Sequence, residues 1–307
     1  MTAYVVRRLL LTIPILFAIV TLVFAIRPLV PGDPIAIMFF GQAANPQVIA
    51  DIRSQLGLDK SIPEQYLLYV SNVLRGDLGT SITTRQPVIE EITNRYPATL
   101  KLAIGAFLIS AFLGLLFGIL AAVYKDSAID TGAMILATAG ISMPAFWFGL
   151  LAIYFFSVHL GWFSVIPDGS LKSLVLPATT LGLIASSIVA RLVRSAMLEV
   201  LNQDYVQTAR AKGLSERRVV LLHALRNAAI PVVTIVGLQF GGLLTGAFII
   251  EAVFAWHGIG ELAVQSFAKR DFPMIQGITL VVATTYVLVN LVVDVIYAAL
   301  DPRITYS

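Results

Sequence analysis

The sequence predicts an all-α integral membrane protein with six transmembrane helices. Three observations carry this. Mean hydropathy over the 307 residues is +0.86, with 58% hydrophobic and 13% charged residues, which is not the profile of a soluble globular chain. Six charge-free, mostly apolar runs follow one another: Leu9–Ile26, Leu102–Tyr124, Thr131–Pro167, Ser173–Ala190, Asn227–Ile250 and Phe272–Val293. Crossing a bilayer takes roughly 20 apolar residues in a helix, and each run is of that order. Finally, a large buried all-α core would need polar helices to cover it, and the chain has almost none to offer.

Residues 1–27 form the first span. Arg7 and Arg8 precede its apolar run and place the N-terminus inside. The same pattern, with Val23-Phe24-Ala25 as a cleavage site, resembles a secretory signal; the length of the run favours an uncleaved helix. Residues 28–98 form an extracytoplasmic segment with short amphipathic helices. NPQVIADIRSQLG, at 45–57, reads as one, with Asn45 as N-cap and Val48, Ile49, Ile52 and Leu56 on one face. Ser61-Ile-Pro-Glu64 matches a capping box that opens another, with Leu67, Val70 and Leu74 on one side. Such helices lie on the membrane surface, cap a cavity, or pack over the bundle's outer ends.

Residues 99–307 form a core of five helices. The loop YKDSAID at 124–130 is short and inside. Pro144, in ISMPAFWFG, lacks an N–H and is expected to kink the third span. Arg191 and Arg194 mark the inner end of the fourth span, so 204–230 is the largest cytoplasmic loop. The sixth span returns inward and leaves DPRITYS inside. Small-residue pairs at Gly114/Gly118, Gly237/Gly241 and Gly242/Gly246 offer faces for close helix approach.

Several chemistries find no support. The sequence has no phosphate-binding GxxxxGK[ST] loop, no HExxH and no cysteine, so nucleotide hydrolysis, zinc peptidase chemistry and thiolate sites are not encoded by these motifs. The pI near 9.2 reflects inside basic loops rather than nucleic-acid binding. Asp294, one turn after Asn290, is the clear ionisable group within a span; it reads as a proton relay or as a group reaching the interface.

The stretch DYVQTARAKGLSERRVVLLHALRNAAIPVV, residues 204–233, stands out. It holds five basic and two acidic residues around Gly213. YVQTARAK is a helix former, Gly213 is the natural C-cap, and Ser215 can cap a second helix. The outcome is helix, sharp turn, helix, with a small, polar, basic end. That shape fits a partner's groove, or an ordinary solvated loop.

This stretch resembles the cytoplasmic "EAA" loop of bacterial ABC importer permeases, whose pattern is EAA, three residues, Gly, nine residues, then I-x-L-P. Aligned on Gly213, the EAA positions hold Gln207-Thr208-Ala209 and the I-x-L-P positions hold His223-Ala224-Leu225-Arg226, so the Glu and the Pro are both missing. The form YVQTARAKGLSERRVV…HALRNAAIPVV is similar to the dipeptide/oligopeptide/nickel branch. RRLLLTIPILFAIVTLVF, PGDP (31–34), QLGLDKSIPEQYLLYVSNVLRGDLGTS (55–81), RYPATLKL (95–102), ISMPAFWFG (141–149), LPATTLG (176–182) and LVVDVIYAALDPRI (291–304) extend the resemblance over nearly the whole chain, to the first of that branch's two permeases.

The resemblance implies a type I ABC importer permease fold in the bacterial cytoplasmic membrane, with both termini cytoplasmic. It implies a non-catalytic subunit that binds no cofactor itself, with ATP and Mg on partner subunits. The implied partners are a second permease, two ABC ATPases and an extracytoplasmic solute-binding protein, within the lipid bilayer and without nucleic acid. Tyr205, Ala209, Lys212, Gly213, Leu214, Glu216 and Arg217 are then expected at the ATPase contact. Ser142, Met143, Gln239 and Thr245 are the polar or adaptable candidates for a translocation path. Di- or oligopeptide is the expected cargo, with glutathione or a nickel chelate as alternatives within the importer class. A stand-alone ion-coupled transporter or channel is the alternative of another class.

Overall fold

The computed structural model describes residues 2–29, 47 and 59–300. The reading of a helix at 45–57 falls, apart from residue 47, outside them, as do PGDP and the last seven residues. Regular structure among the described residues is helical, with one isolated bridge between Thr80 and Pro87. In order, the helices are α1 (Thr2–Leu29), α2 (Ile62–Leu74), α3 (Val88–Val123), α4 (Ala128–Ser142), α5 (Ala145–Ala152), α6 (Leu171–Leu201), α7 (Asp204–Ala211), α8 (Leu225–Val253), α9 (Ile259–Ala268) and α10 (Phe272–Leu300). A π turn at Ile153–His159 continues α5. A short turn at Glu216–Arg218 and a π turn at Val219–Ala224 lead into α8.

Each of the six apolar runs falls on helix, although the described residues do not by themselves count out six full-length spans. Among the described residues, α1, α3, α6 and α10 are long and apolar enough to cross a membrane, and α4 with α5 and its π turn makes a fifth if counted as one broken span. The third run breaks at Pro144, where α4 and α5 meet at 104°. Proline's missing N–H explains an interruption; the break goes well beyond a kink. In α8 the described apolar stretch is shorter, Gln239–Val253.

Helix α3 has 36 residues, about 54 Å at 1.5 Å per residue, so it outruns a hydrocarbon core of about 30 Å. It crosses α6 closely because glycines clear the contact. A Cβ on Gly114 would stand 2.5 Å from Val189, and one on Gly118 would stand 2.6 Å from the Val193 Cβ. Gly182 returns the arrangement, 2.8 Å from Ile109. Gly237 and Gly241 admit Val293 and Tyr286 of α10. Gly242 and Gly246 have no heavy atom nearer than 3.5 Å, so this third pair makes no close approach within the chain.

Helices α1 and α10 run antiparallel. Arg8 pairs with Asp294 at 3.0 Å at one end, and Gln276 donates to the Val23 carbonyl at the other. Asp294 is thus engaged by a cation at the end of the span. The start of α8 meets the far end of α10, so the N-terminal end of α1, the C-terminal end of α10 and the 204–230 stretch share one end of the bundle, the loop end.

The capping box at Ser61 forms: the Glu64 carboxylate accepts from the Ser61 N–H at 3.0 Å and from its hydroxyl at 2.8 Å. The leucine side of α2 is turned away from the rest of the chain. Leu67 and Leu74 are 66% and 82% exposed. Tyr66 and Tyr69 turn to α1 instead, ringing Phe24, with the Tyr66 hydroxyl 2.7 Å from Thr21. Aromatic area, with a polar tip that finds a partner, outweighs the leucine stripe.

At the end opposite the loop, buried carboxylates fasten the connections. Glu251, fully buried, accepts from the N–H groups of Gly260 and Glu261 at the start of α9. Asp271 accepts from the Ser81 hydroxyl, from the N–H groups of Ile82 and Thr83, and from Met274 at the start of α10. Each carboxylate thus occupies a helix N-terminus, where free N–H groups favour negative charge.

Candidate functional site: the charged loop and its seat

Helix α7 is held from below by its own apolar side. Val206 and Ala209 are buried, and they join Val193, Met197 and Leu201 of α6 with Val219, Val220 and Ala224 of the π turn in one cluster. The periodicity of DYVQTARA sets this: residues 206 and 209 are three apart and share a face. The opposite face carries Tyr205, Gln207, Thr208 and Arg210, all exposed.

The helix ends in a Schellman turn. Gly213 has φ +77°. Its N–H donates to the Arg210 carbonyl at 2.9 Å, and the Leu214 N–H donates to the Ala209 carbonyl at 3.4 Å. These are the two bonds that define the motif, and Leu214 packs on the cluster beside Ala209, completing its apolar contact. Glycine supplies the left-handed conformation without a Cβ penalty. The second turn begins at Ser215 as expected, in extended conformation, although its side chain makes no capping bond.

An ion pair closes over the turn. Arg210 donates through Nε to Glu216 Oε2 at 3.1 Å and through Nη2 to Oε1 at 2.6 Å. Hydrogen bonding from Arg210 holds the Glu216 carboxyl below the usual carboxylate range. The pair bridges the two sides of Gly213, and its bidentate form fixes their relative direction. Around it the surface is basic, with Lys212, Arg217 and Arg218 exposed.

Six of the seven residues expected at a partner contact therefore sit around one protruding turn: Tyr205, Lys212, Gly213, Glu216 and Arg217 on the surface, Leu214 at its edge. Ala209 differs. It faces the cluster, and its small size allows α7 to settle on α6 rather than opening the outer surface. Sequence reading missed Arg210 as Glu216's partner. The spacing of six residues across a glycine turn was the available signal.

A second polar feature lies close by. Asp130, at the start of α4, accepts from Arg194 Nε at 2.6 Å and from Nη2 at 2.7 Å, and from the Asp126 N–H at 3.0 Å. Asp130 is 4% exposed. Only the positive-inside role of Arg194 was foreseen.

The translocation candidates are not gathered in one cavity of this chain. Ser142 lies on a groove of about 680 Å³ along α4 with Thr131, Thr138 and the Asp130–Arg194 pair. Met143 lines a separate cavity of about 360 Å³ with Phe117, Phe148, Ser186 and Ser187. Thr245 lines an apolar groove of about 720 Å³ between α1, α8, α9 and α10. Gln239 lines none of the three. Among the described residues no group of three His, Asp or Glu side chains converges to hold a metal.

Residues 114–306 match the family model described as binding-protein-dependent transport system inner membrane component. Residues 1–103 match the corresponding N-terminal model. The chain is 45% identical to the di/tripeptide transport system permease protein DppB of Pseudomonas aeruginosa, all of both chains being covered. It is 48% identical to the glutathione transport system permease protein GsiC of Salmonella typhimurium, again over all of both. Among solved structures, the MetNI methionine ABC transporter in an inward-facing conformation matches with a TM-score of 0.60 and 20% identity, over 69% of this chain and 96% of that one. That likeness concerns the fold.

Proposed function

The chain belongs to the binding-protein-dependent transport system inner membrane component family, and with that permease role as premise we propose that it imports short peptides under the drive of ATP hydrolysed on separate subunits. The exposed Schellman turn of 204–218 supports the coupling half of this reading. It is a rigid, basic, protruding element seated on the ends of α6 and α8, which is what a cytoplasmic ATPase needs in order to push on a bundle. In this reading Tyr205, Lys212, Gly213, Leu214, Glu216 and Arg217 meet the ATPase, and Ala209 seats the helix. The loop end, with both chain termini, faces the cytoplasm of a bacterial cell.

Two ATPases carrying ATP and Mg, a second permease and an extracytoplasmic binding protein complete the importer. The second permease also accounts for the scattered path candidates: Ser142, Met143, Gln239 and Thr245 contribute to a conduit closed by the other subunit. ATP then shifts the bundle between two packings by stabilising one of them differentially. Full-length likeness to a di/tripeptide permease supports peptide cargo. Likeness to glutathione permeases supports a second reading with the same chemistry, since glutathione is itself a tripeptide.

The test begins with affinity isolation of this chain from native membranes and mass spectrometry of its companions. An ATPase and a second permease in roughly equal amounts support the importer. Uptake of labelled dipeptide, tripeptide and glutathione by the reconstituted complex then assigns cargo. Recovery of the chain alone, with transport in proteoliposomes lacking any ATPase, refutes the reading in favour of a self-sufficient transporter.

A further inference from the structure

We propose that the Asp130–Arg194 pair is the positioning link that carries movement of the charged loop to the inner half of the broken third span. This rests on the importer reading above and names residues that reading does not.

Helix α4 makes no extensive packing with α7. It packs on α6 and α3. Helix α6, in turn, supplies Val193, Met197 and Leu201 to the cluster on which α7 sits. Arg194 stands beside Val193 on the same turn of α6. Its guanidinium makes both bonds to one carboxylate, with Asp130 nearly sealed from solvent. A third donor, the Asp126 N–H, comes from the 124–130 turn itself. The turn is set by Asp126 at φ +61°, and by Ser127, whose hydroxyl accepts from the Ile129 and Asp130 N–H groups.

The pair is therefore a fixed two-point joint between α6 and the start of α4. Planar bidentate geometry resists rotation as well as separation. At the other end of α4 the chain breaks between Ser142 and Ala145 and turns through 104°. Beyond the joint α4 lies along α6, where a Cβ on Gly140 would meet the Ser187 side chain, so α4 moves with α6 as a unit and parts from α5 at the break. The groove along α4, from Asp130 to Ser142, moves with it. The bidentate pair fixes the register of α4 on α6 at the loop end.

The experiment uses the full complex in proteoliposomes, with uptake and ATP hydrolysis both normalised to assembled complex. The variants are Asp130→Asn, Arg194→Lys and the exchange Asp130→Arg with Arg194→Asp. Arg194→Lys keeps the charge while losing the fork, so it separates positioning from folding. The expected result is that Asp130→Asn and Arg194→Lys assemble and hydrolyse ATP while uptake per complex falls at least 10-fold, with part of it restored by the exchange. Unchanged uptake per complex in Asp130→Asn overturns the link. So does a parallel fall of assembly and uptake in both single variants, which is the signature of a merely structural pair. Absence of ATPase association or of uptake in the unaltered complex would instead refute the importer reading itself.

Discussion

Replacing Gly213 isolates the contribution of one backbone conformation. Its φ is +77°, and a Cβ built there meets nothing within 4 Å. Alanine therefore costs only the left-handed conformation, roughly 1–2 kcal/mol for an L-residue. Asparagine, which tolerates that region, costs less. Proline fixes φ near −65° and removes the N–H that donates to Arg210, so it costs about 3 kcal/mol or more. At roughly a factor of ten per 1.4 kcal/mol, alanine raises the open fraction of the turn about 5- to 30-fold. Trypsin reads this at Arg210, whose following bond is the same in every variant, since cleavage tracks the open population when closing is fast. The expected order of cleavage rate is Gly, Asn, Ala, Pro, with membrane insertion unchanged. In the assembled importer, ATP hydrolysis persists while uptake falls in the same order. Cleavage of the alanine and proline variants at the unaltered rate would refute the argument, and normal uptake by the proline variant would refute the turn's role in coupling. Leucine adds a control. In the free chain it behaves as alanine, because the space is open; if an ATPase fills that space, leucine is much the worse of the two in the complex.

Other perturbations follow from neighbouring features. The Glu216 carboxyl titrates below its ordinary value, so the pair with Arg210 contributes above the unfolded carboxylate range and is lost as pH falls through the lower folded value. Both groups are more than a third exposed, so solvent and salt limit the effect to under about 1 kcal/mol; amide exchange over 209–218, followed from pH 6 to 3 at low and high salt, measures it. Glu216→Arg sets two guanidiniums against each other and loosens the turn, and adding Arg210→Glu restores it. Gly114→Ala drives a Cβ against Val189 at a cost of about 1–3 kcal/mol, read as a lower Tm in detergent, whereas Gly242→Ala is silent. Gly258→Ala forces its Cβ into the Glu251 carboxylate, displacing it from the α9 N–H groups at a cost of about 2 kcal/mol or more. A single cysteine replacing Ser266, buried on α9 in this cysteine-free chain, then labels faster.

The apolar runs, the Ser61 capping box, the glycine crossing of α3 on α6 and the Gly213 turn were all legible, because each depends on residues within a few positions or on hydropathy alone. The count of spans was less so. Charge-free length does not say that Pro144 splits one run into two helices that meet at 104°. The leucine stripe of α2 was legible as a stripe; the contact of Tyr66 with Thr21 and Phe24 was not, because it joins residues more than forty positions apart. At the loop, the outward positions were readable from polarity. Ala209 turns to its own chain's cluster; a small residue fits a tight contact with a partner and with its own chain equally well, and polarity does not tell the two apart. The Asp130–Arg194 joint spans 64 positions and left no periodic trace in the sequence.

The π turn at Val219–Ala224 gives the interval between Gly213 and α8 a meaning beyond length. A π turn holds one more residue than the α-helical turn it replaces, and one residue is worth about 100° of rotation. Removing a residue there would close the turn into ordinary helix and swing α7 about a quarter of the way round, carrying Val206 and Ala209 off their seat. The interval thus behaves as a phase setting, like the timing of a camshaft. Between permeases of this kind, an insertion or deletion within it re-aims the loop.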